Sequence, residues 1–282
     1  MIAITGATGH LGQLVIEKLL TTVNPQEIVA IVRNPAKAQA LSDKGVLVRS
    51  GDYNDSAALA LALQGVEKLL LISSSEVGQR TGQHRNVIEA AKAAGVKLIA
   101  YTSLLHADTS PLGLAAEHVE TEAMLAASGI PTVLLRNGWY TENYLASVPP
   151  ALEHGVFIGS AGEGAIASAP RADYADAAAR VLTLDDQDGK IYELAGDEAW
   201  TLSELCATLS TLSGKNVAYQ DLPEADFAAA LVGAGLPEGF AALLADSDAG
   251  AVKGGLFDDS HQLSALLGRP TTPLIDSLKA VV

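Results

Sequence analysis

Three glycines near the start of the chain, Gly6, Gly9 and Gly12, are spaced G-x-x-G-x-x-G within Thr5-Gly6-Ala7-Thr8-Gly9-His10-Leu11-Gly12. That spacing suits a phosphate cradle. A glycine at 6 permits a tight turn off a strand, and one at 9 lets the backbone approach a pyrophosphate. One at 12 removes a side chain where helix and strand pack closely. The helix that begins near Leu11 offers unpaired N–H groups and the positive end of its dipole to an anion. The loop follows the apolar run Ile2–Thr5 and opens a helical pattern, the context that gives a glycine triplet its meaning. His10 is expected to lie along the phosphates.

The kind of dinucleotide is decided at the end of the second strand. An acidic side chain there bonds a free ribose 2′-hydroxyl, whereas a guanidinium grips a 2′-phosphate. The segment reads Val32-Arg33-Asn34-Pro35-Ala36-Lys37, with no acidic residue between Glu27 and Asp43. Arg33 stands about 20 residues beyond Gly12, the usual interval, and Lys37 adds a second charge one helical turn on. These residues predict NADP(H) over NAD(H). Two further strand ends add contacts. Asp52 and Tyr53 end the third strand, where a carboxylate and a ring can flank adenine. Ser73, Ser74 and Ser75 end the fourth, where hydroxyls reach toward ribose or nicotinamide. Turn and capping chemistry is the alternative reading of both.

Positioning these residues requires a regular α/β frame. Apolar runs at Ile2–Thr5, Ile28–Val32, Val46–Val48, Lys68–Ile72, Lys97–Thr102 and Thr132–Leu135 alternate with helical patterns at Leu11–Leu20, Pro35–Asp43, Asp55–Gln64, Gln79–Ala94 and Ala115–Ser128. Strands without polar alternation suit a parallel sheet buried on both faces, and repeated β-α units predict a doubly wound Rossmann sheet. Asn34-Pro35 and Asp55 read as helix starts, and Gly65, Gly95 and Gly129 as helix stops. Regularity loosens beyond about 138, where Pro149-Pro150 and Gly155, Gly159, Gly162 and Gly164 read as loops. A helix at Tyr174–Leu184 and a strand at Lys190–Leu194 are expected to rejoin the sheet. Helices follow near Leu202–Ser213, Glu224–Gly233 and Glu238–Leu244, with an amphipathic stretch from Pro273. The expected division is residues 1–150 as the dinucleotide-binding domain and 151–282 as a smaller, mostly helical lobe over the strand ends, with about 171–196 returning to the sheet.

Composition narrows the partners. With 49% hydrophobic and 18% charged residues, the 282-residue chain can bury a large core. A net charge of −15 argues against nucleic acid and anionic lipid. No apolar run approaches the ~20 residues of a membrane span. The single cysteine, Cys206, fits a reducing compartment, so a cytoplasmic protein is expected. No His or Cys spacing suggests a metal site, and nothing calls for a flavin.

The glycine order resembles that of extended and atypical short-chain dehydrogenase/reductases, whose standard members use Tyr-x-x-x-Lys as acid and cofactor anchor. None of the seven tyrosines here has lysine four residues later. The expected position reads Leu114-Ala115-Ala116-Glu117-His118, with leucine and histidine in the two places. Reduction of an unactivated ketone needs a matched proton donor. A quinone is more electrophilic and becomes aromatic on reduction, so a quinone-like acceptor is favoured. Leu70-Leu71-Ile72-Ser73-Ser74-Ser75-Glu76, Tyr101-Thr102-Ser103-Leu104-Leu105-His106-Ala107 and Leu135-Arg136-Asn137-Gly138-Trp139-Tyr140-Thr141-Glu142-Asn143-Tyr144 resemble the NmrA-like atypical short-chain reductases. The resemblance implies a Rossmann domain, NADPH as donor, quinones as acceptors, and Gly6 through Leu11, Arg33 and Ser73–Ser75 as cofactor contacts. It adds Asn137 near the nicotinamide, and Tyr140 and Asn143 as the residues that position the quinone. Ser103 stands where related reductases keep a catalytic serine. His106 and His118 read as structural histidines, with proton donation the alternative, and Glu117, Glu120 and Glu122 as a solvated helix face. Two other readings stay open: a dinucleotide-binding sensor without turnover, and a reductase of another conjugated electrophile.

Overall fold

Runs of Ile, Val, Leu and Ala become strands because such side chains fill a pleated surface covered on both faces. The computed structural model describes residues 1–282 and contains nine strands. These are β1 (Ile2–Ile4), β2 (Ile28–Val32), β3 (Leu47–Ser50), β4 (Lys68–Leu71), β5 (Leu98–Leu104), β6 (Thr132–Asn137), β7 (Val156–Gly159), β8 (Ile191–Leu194) and β9 (Ala218–Asp221). Seven of them form one sheet in the order β3-β2-β1-β4-β5-β6-β8, and β1 to β6 pair in parallel. Every residue of β2 and β5 is buried. The chain winds outward from β1 through β2 to β3, then returns to β4 on the other side of β1. That reversal opens a crevice at the carboxyl ends of β1 and its neighbours. The fold is the doubly wound Rossmann arrangement.

Local chemistry sets the helix ends. Asn34 Oδ1 accepts from the Ala36 N–H at 3.0 Å ahead of the 3₁₀ turn Pro35–Ala38, and Asp55 Oδ1 caps the helix Ser56–Ala62 through the Ala58 N–H at 2.9 Å. Gly95 ends the long helix Arg80–Ala94 in the left-handed region, φ 73°. Thr201 and Glu204 form a reciprocal capping box at the start of Leu202–Ser213.

Two compact units emerge, and neither is continuous in sequence. The first holds residues 1–107, 116–137 and 171–192, and so takes in the helix Arg171–Thr183. The second holds residues 108–115, 138–170 and 193–282. Its own small sheet pairs β7 with β9 in parallel, Val156 opposite Ala218 through Gly159 opposite Asp221. No helix in the chain is long and apolar enough to cross a membrane.

Three expectations need correcting. Pro149 and Pro150 do not mark a loop: they lie within the helix Val148–His154, in whose first turn a missing N–H costs nothing. The helix from Glu238 runs to Ala251, past Leu244, because Ala245 and Ala251 are buried along with Ser247 and Asp248. The acidic side chains of the helix Ala115–Ser128 are not one solvated face. Glu117 pairs with Arg80 at 3.1 Å, and Glu122 makes a two-pronged pair with Arg136 at 3.0 and 2.8 Å. Arg80 and Arg136 are buried, so each carboxylate neutralises a cation with little access to water. Removal of one partner from such a pair leaves an uncompensated charge and costs about 3–5 kcal/mol. Glu122→Ala should therefore lower stability toward urea by that order. A loss below about 1 kcal/mol would show the pair to be effectively solvated.

Candidate functional site

The glycine loop takes its shape from contacts that only glycine tolerates. Gly6 turns the chain off β1 in the left-handed region, φ 57°, and its carbonyl accepts from the Gly9 N–H at 2.9 Å. A Cβ at Gly12 would stand 2.5 Å from the Gly6 carbonyl oxygen and 2.8 Å from the Ala7 Cα. Helix His10–Leu19 thus sits directly against the loop. Gly9 is its N-cap and no side chain caps it, so the first-turn N–H groups remain available to an anion. Ala7 is fully buried and Leu11 nearly so, while His10 is exposed at the first helical position.

In front of this loop lies a cleft of about 580 Å³ within the first unit. It is lined by Gly6, Thr8 and Gly9, by Arg33 and Lys37 after β2, by Asp52 and Tyr53 after β3, and by Ser73, Ser74 and Ser75 after β4. Ten residues singled out in the sequence therefore meet in one place. Gly51, Ile72, Gln13, Glu76 and Gln83 also line it. Gln13 escaped notice because it lies one position past the motif; its amide donates to the Thr8 carbonyl at 2.8 Å and pins the loop. Glu76 closes the Leu70–Glu76 stretch but, like Gln83, had no role of its own in the sequence. Glu76 Oε1 accepts from Arg33 Nη1 at 3.0 Å, and its Oε2 from Gln83 Nε2 at 2.8 Å.

Tyr53 does more than flank the cleft. Its hydroxyl lies 2.6 Å from Thr5 Oγ1 and 2.7 Å from the Ile72 carbonyl, which ties the end of β3 to those of β1 and β4. Burial pushes its phenol well above the usual range, so it stays protonated. The serine segment is held from beneath. The Ser73 N–H donates to Thr102 Oγ1 at 2.8 Å, the Ser74 N–H to His84 Nε2 at 2.9 Å, and the Ser74 carbonyl accepts from Arg80 Nε at 2.8 Å. Because His84 Nε2 accepts, its proton sits on Nδ1, which faces Thr121 Oγ1 at 2.9 Å.

The remaining candidates lie outside the cleft. Asn137 ends β6, buried, with its carbonyl accepting from the Leu105 N–H at 3.0 Å. In the second unit, Tyr140 forms an isolated bridge with Ala169. Asn143 lines a small cavity of about 30 Å³ with Trp139, Tyr144, Phe227, Leu231 and Asp248. There the Tyr144 hydroxyl donates to Asp248 at 3.2 Å, and burial raises that carboxyl to about 6.

Taken together, the first unit presents backbone N–H groups, an uncapped helix and two cations around an open cleft. That arrangement can hold the pyrophosphate of a dinucleotide and a further phosphate on its ribose. Similarity to known proteins gives the chain its family. The NmrA-like family model matches residues 1–265. The chain belongs to the NmrA-like family. It is 72% identical over 278 residues to quinone oxidoreductase 2 of Escherichia coli K12, covering 99% of this chain and 97% of that one. The crystal structure of an Escherichia coli NADPH-dependent quinone oxidoreductase complexed with NADPH superposes with a TM-score of 0.97 at 71% identity, over 99% of both chains. A Citrobacter triphenylmethane reductase complexed with NADP(H) superposes with a TM-score of 0.96 at 41% identity, over the whole of both chains.

In this NmrA-like chain the position of the missing anchor, His118, and the serine Ser103 are put to structural use. His118 Nδ1 lies 2.8 Å from the Tyr101 hydroxyl inside the protein, and burial, with the Arg80 charge, pushes its imidazole down to about 3. A neutral ring supplies neither a lysine's charge nor a proton at pH 7. Ser103 Oγ donates to Glu122 Oε1 at 2.5 Å and is buried, so it belongs to the Arg136 ion pair. His84 is likewise held down to about 3, by burial first and Arg80 second. Both imidazoles would take up protons below their ordinary value of 6.5 once the chain unfolds, but refuse them in the folded state until about pH 3. Stability should therefore fall as pH drops through that window. His84→Gln and His118→Gln should each flatten the fall in a pH series of urea midpoints; slopes as steep as the parent's would refute the buried neutral assignment.

Proposed function

We propose that this chain is a cytoplasmic NADPH-dependent quinone reductase that transfers hydride directly, with Arg33 as its principal 2′-phosphate contact. The observation that carries the reading is the cleft itself. An uncapped helix start faces Arg33 and Lys37 across it, with no acidic residue at the end of β2 to prefer a ribose hydroxyl. The near full-length relationship to quinone oxidoreductase 2 supplies the acceptor class. When bound, NADPH would supply a hydride from nicotinamide C4, which a quinone would take up together with a proton to become a hydroquinone.

The protein's own part is positional. The amides at the start of helix His10–Leu19 bind the pyrophosphate, and Gln13 holds the loop in the shape that exposes them. Thr102, His84 and Arg80 fix the Ser73–Ser75 segment so that its hydroxyls meet the cofactor without ordering a mobile loop. Asn137 contributes its amide near the nicotinamide, and Tyr140 and Asn143 orient the quinone. Because the acceptor becomes aromatic, orientation next to the hydride donor suffices where a ketone would need a strong acid. The reducing cytoplasm suits Cys206, whose buried thiol is pushed up to about 11 and stays inert.

The reading is tested by following NADPH oxidation with a simple benzoquinone or naphthoquinone, with NADH in parallel. Rapid quinone-dependent oxidation that prefers NADPH is expected; tight binding without turnover would sink the reductase assignment. Arg33→Ala should raise the KM for NADPH about ten- to a hundredfold with little change for NADH, the loss expected for one charge-assisted contact of about 1.5–3 kcal/mol. An equal effect on both cofactors would remove the 2′-phosphate role. Tyr140→Phe and Asn143→Ala should raise the quinone KM or lower kcat while NADPH affinity holds. Weaker NADPH binding alone would move both residues to the cofactor side.

A further inference from the structure

Arg33 does not stand alone in the cleft. It follows β2 and Glu76 follows β4, strands that flank β1 on opposite sides. The 3.0 Å bond between them therefore spans the end of β1, where the glycine loop begins. Glu76 is anchored independently of its ion pair. Its backbone N–H donates to Ser74 Oγ at 3.1 Å, and its second oxygen is held by the amide of buried Gln83 at 2.8 Å. Arg33, by contrast, is 70% exposed on a flexible stem. Of the two partners, the arginine is the one free to move.

We propose that Glu76 is a specificity-determining residue that competes with the 2′-phosphate for Arg33 and so moderates the preference for NADPH. The inference rests on the cofactor reading above. A phosphate that takes the Arg33 guanidinium must either displace the carboxylate or share the fork with it. Five N–H donors allow sharing, but a dianionic phosphate and Glu76 then lie within a few ångströms of each other. Since Gln83 and the Ser74 turn keep Glu76 at the cleft wall, the repulsion persists in the complex. A cofactor with a free 2′-hydroxyl meets no such opposition, because a carboxylate accepts from a hydroxyl.

The test is direct binding to the intact protein, by titration calorimetry or nucleotide fluorescence, with 2′,5′-ADP against 5′-AMP and NADPH against NADH. Glu76→Gln keeps the shape and removes the charge; Glu76→Ala guards against a glutamine that makes new contacts. Both should tighten 2′,5′-ADP and NADPH about three- to fivefold, the upper scale of an exposed ion pair. The 5′-AMP and NADH constants should move less than about twofold or weaken. Weaker or unchanged binding of the 2′-phosphorylated ligands, or equal gains for both classes, would overturn the proposal. Wild-type protein that binds NADPH without turning over quinones would overturn the reductase reading alone, and the Glu76 comparison would still decide this one.

Discussion

The first turn of helix His10–Leu19 can reach the glycine loop only because position 12 has no side chain. A single methyl group there would occupy the space of the Gly6 carbonyl and the Ala7 backbone. That approach sets the helix axis toward the crevice beside β1, and it leaves Gly9 as a cap with no side chain to consume the first-turn amides. The remainder of the site is arranged around this fixed point. β2 delivers Arg33 and Lys37 on one side, β4 delivers the serines and Glu76 on the other, and the sheet order brings both to the same edge. The cleft follows from strand topology, the glycine loop and one forbidden methyl group behind it.

A polar layer beneath the cleft makes that edge rigid. Tyr53 ties three strand ends together, while Thr102, His84 and Arg80 each hold one backbone group of the segment after β4. The layer continues through Thr121, which accepts from His84 Nδ1 and donates to the Glu117 carbonyl at 2.8 Å, and through Glu117, which neutralises Arg80. Aromatic edges at His84 and Tyr101, centroids 5.4 Å apart, fill the space between. A network so fully satisfied leaves few alternative arrangements for Ser73–Ser75, which favours a cofactor bound without ordering cost.

How much of this was legible in the sequence depends on whether the signal was local. The strands were, because burial on both faces leaves unbroken apolar runs such as Ile28–Val32 and Leu98–Tyr101. The meeting of the glycine loop and Arg33 at one cleft was, because both stand at fixed intervals along one stretch of chain. The strands β7 and β9 were not: β7 is a three-residue apolar run between glycines, and β9, with Ala218, Gln220 and Asp221 exposed, carries no apolar pattern to pair with it. The roles of Glu117 and Glu122 were also hidden. Each is matched by an arginine from a distant stretch, Arg80 or Arg136, and an acidic helix looks solvated until its partners are brought to it. Glu76 and Gln83 belong to the same class, since their meaning lies in a neighbour across the sheet edge.

The absent Tyr-x-x-x-Lys pair gains its explanation from what fills the space. In a ketone reductase, the serine at the end of β5 and the residues of the following helix are kept available for a proton and a cofactor anchor. Here Ser103 is consumed by Glu122, Glu122 by Arg136, and His118 is sealed neutral against Tyr101. These groups cannot be recruited to acid chemistry without breaking a buried ion pair or charging a buried ring, and either step is costly. Their commitment to the frame restricts the acceptor more firmly than the loss of one tyrosine would. What remains for this region to supply is a rigid frame, with no acid to spare for an acceptor that needs one.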